Sequence, residues 1–186
     1  MVIKMIKVIA FDLVGVLIRE TDFPLNELES KIERLFGPNK SDKDFFSLVN
    51  QNIIQTSDEQ IISIVNKIIN SIYEIKLNLD KLNLLKEKHP DIRLVVATNH
   101  VSFIQDYILK TFGNVFDNIY ISANMNAIKP DSEFYNNILK DLNISPDEML
   151  FLDDSERNIV GARECNIKTI HVTRQIDILN EIQSFL

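Results

Sequence analysis

Two kinds of hydrophobic pattern alternate along this chain. Short, almost continuously apolar runs rich in β-branched residues recur at 6–11, 92–98, 118–122, 149–153 and 168–172. Runs of that length without polar alternation are what a strand buried on both faces requires, so each is expected to be a parallel strand of a covered sheet. Between them apolar residues fall three and four apart, which predicts helices over 81–88, 103–111, 132–141, 155–165 and 175–185. Capping chemistry supports several of these. Asp131 precedes one, Ser155 with Glu156 opens another, and Ser145-Pro146-Asp147-Glu148 is a typical helix start. Asn166 stands where a left-handed, helix-ending residue is expected. Strands alternating with helices predict an α/β fold, a three-layer open parallel sheet with helices on both faces.

One stretch breaks this rhythm. Over 20–78 there is no strand pattern. Leu28, Ile32, Leu35 and Phe36 sit at helical spacing, Phe45, Phe46 and Val49 continue it, and Ile61, Ile62, Val65, Ile68, Ile69, Ile72 and Ile75 form a broad apolar stripe. Residues 37–41 read as a turn inside it. The expectation is a small all-helical domain over 20–78, inserted after the first strand of a core made of 1–19 and 79–186. The stripe then reads as the interior of that helical unit.

Composition narrows the class without naming a function. At 186 residues the chain makes one large domain, or one domain with an insert. Apolar residues at 45% and charged residues at 25% are ordinary for a soluble globular chain. Twenty basic against 27 acidic residues give −7, which argues against a nucleic-acid surface. The single cysteine, Cys165, allows no intrachain disulfide and reads as a small core residue, so a reducing cytoplasm is the simplest setting. Lys4 and Lys7 before the apolar run 8–18 superficially imitate a leader peptide. Asp12 interrupts that run and its residues are β-branched, so a first core strand is expected instead. No stretch approaches the roughly 18 apolar residues that would span a bilayer.

The chemistry follows from where the polar residues fall. In open parallel sheets ligands gather beyond the carboxyl ends of the strands. Asp12, Thr98 and Asp153-Asp154 each stand at such an end, so three distant regions deliver polar groups to one rim. A carboxylate there can accept a phosphoryl group, dividing one hard displacement into two easier ones. Adjacent carboxylates can hold Mg²⁺, which favours hard oxygen ligands. Four motifs then arrive in order: the strand of residues 8–11 ending in Asp12, Thr98-Asn99, Ile128-Lys129-Pro130-Asp131, and Phe151-Leu152-Asp153-Asp154.

That order closely resembles the haloacid dehalogenase (HAD) superfamily of aspartyl-nucleophile hydrolases, and the resemblance covers nearly the whole chain. It implies a HAD-like Rossmannoid core with a helical cap at 20–78, and a small phosphorylated metabolite as substrate. Asp12 would be the nucleophile. The Thr98 hydroxyl and backbone N–H groups around Asn99 would grip the phosphoryl group, and Lys129 would neutralise it and position Asp12. The cofactor implied is Mg²⁺, held by Asp12, Asp154 and the backbone carbonyl of Val14, with Asp153 nearby.

Val14 is the departure. Phosphatases of this superfamily carry at that position an aspartate that protonates the leaving group and then activates water, and valine does neither. Such groups contribute about 10²–10⁴-fold, or roughly 3–5 kcal/mol of barrier. The sequence therefore predicts a hydrolase with impaired or altered proton handling, with Glu20 or Asp22 of the cap as conceivable substitutes. The alternative is a catalytically weak or inactive protein that binds a phosphorylated ligand. Two other HAD chemistries fit less well. The dehalogenase branch has an aromatic residue where Val14 stands and lacks the metal pair. The phosphonate-cleaving branch needs a cap lysine, for which Lys31, Lys40 and Lys43 are the nominees. His100 follows the second motif and reads as incidental, while His89 and His171 read as structural. Neither nucleic acid nor membrane is expected as a partner, and the sequence leaves the oligomeric state open.

Overall fold

The computed structural model describes residues 5–37 and 39–186, so Lys4 and Pro38 of the leader-like flank and the expected turn lie outside it. Its first element is β1 (Val8–Phe11), buried along its whole length. There follow β2 (Ile18–Glu20), α1 (Glu27–Glu33), α2 (Asp42–Asn52), α3 (Asp58–Ile72), β3 (Tyr73–Ile75), α4 (Leu79–Lys88) and β4 (Arg93–Thr98). The second half comprises α5 (Ile104–Phe112), β5 (Asn118–Ile121), α6 (Ser122–Met125), α7 (Ser132–Leu142), β6 (Met149–Asp153), α8 (Glu156–Glu164), β7 (Lys168–His171) and α9 (Ile178–Gln183).

The five apolar runs form one parallel sheet in the order β5-β4-β1-β6-β7. β1 lies at its centre, with Phe11 opposite Val96 on one side and Leu152 on the other. Its residues alternate between two buried clusters. Ile9 and Phe11 join one, while Val8 and Ala10 join the other. Both faces of the strand are therefore covered, which is why its sequence lacks polar alternation. Asn166 takes the left-handed conformation, as do Asn126 and Asn143. Ser145-Pro146 begins only a single turn before β6, closed by the reciprocal Ser145–Glu148 capping box.

Residues 27–72 form three helices, each opened by a capping side chain: Asn26, Ser41 and Ser57. On α3 the expected stripe is buried, with Ile61, Val65, Ile68, Ile69 and Ile72 facing inward. Full burial of such side chains contributes about 1.5–3 kcal/mol each. One expectation fails here. The spacing predicts no strand over 20–78 and puts Ile75 in the helical stripe, yet residues 73–75 form β3, antiparallel to β2, with Ile18 opposite Ile75 and Glu20 opposite Tyr73. The two chain segments that enter and leave the helical unit run side by side, and pairing them satisfies backbone groups that a longer helix would leave without partners. An Arg19–Glu74 ion pair closes across this ribbon.

The helical unit rests on the sheet's carboxyl rim through polar contacts. Asp42, at the start of α2, accepts from the Ser102 backbone N–H at 2.9 Å and also from its hydroxyl. The Ser122 hydroxyl donates to the Asn39 carbonyl at 3.2 Å, and Lys40 pairs with Asp131 at 3.1 Å. Among the described residues no helix is long and apolar enough to cross a membrane.

Candidate active site

The sheet register sets the rim. The Asp12 backbone N–H continues the ladder to the Leu152 carbonyl at 2.8 Å, so Asp12 stands one residue past β1. Thr98 ends β4 and Asp153 ends β6, the two strands flanking β1. Three sequence regions thus meet beyond adjacent strand ends, as the motif order predicts.

Lys129 ties them together. Its ammonium lies 2.8 Å from Asp12 Oδ1 and 2.7 Å from Asp153 Oδ2, and only 3% of the residue is exposed. It is held from behind by Asn99, whose side-chain amide donates to the Lys129 carbonyl at 2.9 Å and accepts from its N–H at 2.8 Å. The next residue, Pro130, packs directly on Gly161 of α8, where an added Cβ would meet the Pro130 carbonyl oxygen at 2.5 Å. A glycine at this helix position lets the lysine-bearing loop close on the sheet.

Asp153 is fully buried and its oxygens are taken up by the protein. Beyond Lys129, they accept from the Ser155 N–H at 2.8 Å and from the Asn158 amide at 3.1 Å. Asp154, by contrast, is exposed. Ligand oxygens of Asp12, Asp153 and Asp154 all lie within 4.8 Å of one another, a spacing that a small divalent cation can bridge. Gly15 makes room for this arrangement. It adopts φ +89°, and a Cβ there would meet Asp154 Oδ2 at 2.2 Å, so a larger residue would displace the carboxylate.

Charge is crowded at this rim. Burial pushes the Asp12 carboxyl up to about 7; Lys129 opposes the shift and Asp153 adds to it. Burial also works against the Lys129 charge, yet Asp12 and Asp153 outweigh it and hold the ammonium above its ordinary range. The Asp154 carboxyl is raised by burial and by Asp153, with Lys76 and Lys129 counteracting. Three carboxylates facing one buried ammonium leave a net negative site, which a divalent cation would relieve.

Val14 packs its side chain against the apolar cluster and makes a bridge with Ile18. The backbone around it is closed by Gly15 N–H to Ile18 C=O at 2.8 Å and Leu17 N–H to Leu13 C=O at 2.9 Å. His100 is buried, 2% exposed, between Phe36 at 5.0 Å and Tyr73, whose hydroxyl lies 3.1 Å from its Nε2. Burial lowers its pKa to about 4, so it is neutral and links the helical unit to the rim. Glu20 borders a cleft of about 760 Å³ that opens on Val14, Gly15 and Asp154 and carries Arg19, Lys76 and Arg174. Sequence reasoning missed Asn158 and Gly15. The glycine three residues past Asp12 was the one legible signal among them, because a polar loop leaving a strand end often turns through positive φ.

Comparison with known proteins agrees with this geometry. The sequence profile of the haloacid dehalogenase-like hydrolases matches residues 9–172. A sesquiterpene phosphatase, astK of Aspergillus oryzae, is 32% identical over 73 residues, covering 39% of this chain and 37% of its own. The mouse bifunctional epoxide hydrolase 2 is 35% identical over 68 residues, 37% of this chain and 12% of its own. The match thus spans well under half the length of either relative. Among solved structures, an aspartate-to-alanine mutant of a HAD family enzyme from Bacteroides thetaiotaomicron, in complex with magnesium and inorganic phosphate, superposes with a TM-score of 0.72. It is 24% identical and the alignment covers 95% of this chain and 98% of that one. The chain belongs to the haloacid dehalogenase-like hydrolase family.

Proposed function

We propose that the protein hydrolyses a small phosphorylated metabolite by phosphoryl transfer through Asp12, with Mg²⁺ as cofactor and with proton handling altered by Val14. The observation that carries this reading is the buried Lys129 bridging Asp12 and Asp153 at 2.8 and 2.7 Å beside an exposed Asp154. Such a set offers a nucleophile, a fixed cation and a place for a second cation. The magnesium and phosphate bound by the Bacteroides thetaiotaomicron enzyme support it by analogy.

The donor set fits Mg²⁺: hard carboxylate oxygens, clustered within 4.8 Å and net negative with Lys129 counted. Asp12 and Asp154 would hold it together with the Val14 carbonyl. Asp153, saturated by Lys129, Ser155 and Asn158, would act mainly by anchoring the lysine. When bound, the ion supplies neutralisation of the phosphoryl oxygens.

An Asp12 oxygen attacks phosphorus, the bond from phosphorus to the leaving oxygen breaks, and Asp12 carries the phosphoryl group. Water then attacks phosphorus, inorganic phosphate departs and the carboxylate is restored. Thr98 offers its hydroxyl and Asn99 its backbone N–H to the phosphoryl oxygens, since the Asn99 side chain is occupied by Lys129. No carboxylic acid stands at position 14 to protonate the leaving oxygen. Leaving groups stable as anions, such as carboxylates and phenolates, are therefore favoured over alkoxides. Residues 20–78 serve as a cap over the rim, on a core of 1–19 and 79–186, and the covered site suits small molecules.

The decisive experiment is a screen of acyl, aryl and alkyl phosphates with and without Mg²⁺. Metal-dependent turnover ranked acyl and aryl above alkyl is expected, abolished by Asp12→Asn. Vigorous alkyl-phosphate hydrolysis by the native chain would mean that another group serves as the acid. The apolar Val14 favours one second reading, a phospho-ligand binding protein. Mg²⁺-dependent phosphate binding without turnover of any ester would establish it instead.

A further inference from the structure

We infer that the cleft beside Asp154 binds a second anionic group of the substrate, so that the preferred substrates are phosphorylated acids or bisphosphates rather than monoanionic or neutral-bodied esters. This rests on the phosphoryl-transfer reading above and names the substrate class for it.

The cleft, about 760 Å³, has Val14, Gly15 and Asp154 in its lining, but not Asp12, Thr98, Asn99 or Lys129. Whatever fills it is therefore the part of the substrate attached to the phosphoryl group, not that group itself. Three unrelated segments deliver cations to it. Arg19 comes from β2, Lys76 from just past β3 and Arg174 from the loop after β7. Two carboxylates, Glu20 and Asp154, line it as well, so cations outnumber them three to two in a chain of net charge −7.

Pairing separates the three. Arg19 is matched by Glu74 across the ribbon. Lys76 instead donates to the Gly15 carbonyl, and among the described residues neither it nor Arg174 is in an ion pair. Of the two carboxylates lining the cleft, Asp154 lies close enough to feel the Lys76 charge and is committed by the proposed function to the metal, while Glu20 is in no ion pair with either cation. Two cations in no ion pair, Arg174 and the Lys76 held by the Gly15 carbonyl, face a cleft lined partly by apolar Val14 and Val172 and are placed to receive an anion. A guanidinium takes a carboxylate or phosphate through two parallel hydrogen bonds, and an ammonium adds a point charge. The two are complementary for one anionic group.

The test is a calorimetric titration of the full chain, saturated with Mg²⁺, using matched non-hydrolysable phosphonates. Ethylphosphonate is compared with 3-phosphonopropionate, and propylphosphonate with 4-phosphonobutyrate. Propane-1,3-diphosphonate separates a phosphate from a carboxylate as the second group. At least one doubly anionic probe should bind about 10-fold or more tighter than its singly anionic match, the scale of one charge-assisted hydrogen bond. Arg174→Ala, at an exposed position, and Lys76→Met should each remove most of that preference, and Arg174→Ala should leave ethylphosphonate affinity unchanged. Equal affinity for matched probes overturns the inference and leaves the phosphatase reading standing. So does a preference that survives both substitutions, or a loss that falls equally on both probes. If no phosphonate binds at all, the phosphoryl site itself is misread and the inference falls with it.

Discussion

Asp12 is expected to destabilise the metal-free protein, and Asp12→Asn should show by how much. The buried site holds two carboxylates on one ammonium, a set one negative charge out of balance. Asparagine keeps the shape, removes that excess and leaves Lys129 paired with Asp153 at 2.7 Å, so the cation is not orphaned. The Asp12 carboxyl moves from an ordinary 3.8 to about 7 on folding, chiefly by burial. At about 1.4 kcal/mol per pH unit, the ionised side chain lowers stability by about 4 kcal/mol above neutrality.

The sign is opposite to that of an aspartate stabilised by its partners. Here the folded state holds the proton more tightly than the unfolded chain. Stability therefore falls as pH rises from the ordinary 3.8 to about 7, and levels off beyond. The advantage of Asp12→Asn should accordingly widen by about 3 kcal/mol between about pH 5 and about pH 8. Loss of the Asp12–Lys129 hydrogen bond takes back part of the absolute gain, but it does not produce that pH dependence. Urea denaturation of both chains in excess chelator, followed by circular dichroism across this range, measures the gap. Adding Mg²⁺ should then stabilise the native chain above neutrality and leave the variant nearly unmoved, because binding requires the ionised carboxylate. A gap that stays constant with pH, or a variant less stable than the native chain at pH of about 8, would refute the reasoning.

Asp154→Asn should abolish Mg²⁺ binding in calorimetry while shifting the melting temperature little, since this exposed strand-end carboxylate contributes little packing. Gly15→Ala should cost about 2 kcal/mol or more in denaturation, combining a positive φ with a Cβ aimed at Asp154 Oδ2, and weaken Mg²⁺ binding as well. Val14→Asp should raise alkyl-phosphate turnover about 10-fold or more, short of the full general-acid range because the surrounding pocket is built around an apolar side chain. The double change Asp12→Asn, Val14→Asp should be inactive in the same assay.

The parallel sheet was legible because its strands are buried on both faces, which leaves a local signature in each run. The β2–β3 ribbon was not, for a specific reason. Tyr73-Glu74-Ile75 continues the spacing of the α3 stripe, and its strand character comes from Ile18–Glu20, more than 50 residues away. No local window contains that partner. Likewise Leu35 and Phe36 kept helical spacing past the end of α1, yet Phe36 is buried against His100 rather than along a helix. Helical spacing there marks burial and not the backbone conformation.

At the rim, the positions of Asp12, Thr98, Asp153 and Lys129 were legible from strand ends and motif order, whereas the division of labour among neighbours was not. Asn99 spends its amide on the Lys129 backbone, and Asp153 spends its oxygens on Lys129, Ser155 and Asn158. Both commitments depend on contacts across the sheet. The structure also sharpens what the valine at position 14 changes. The turn from Leu13 to Ile18 is fixed by backbone hydrogen bonds and by the Gly15 conformation, neither of which involves the side chain at 14. The direction of the Val14 carbonyl is therefore held by groups other than its own side chain. Under the proposed function, holding a cation and moving a proton, which an aspartate here would combine in one residue, are separable in this loop. A chain can lose the second and keep the first, and that is why metal binding and turnover have to be measured apart.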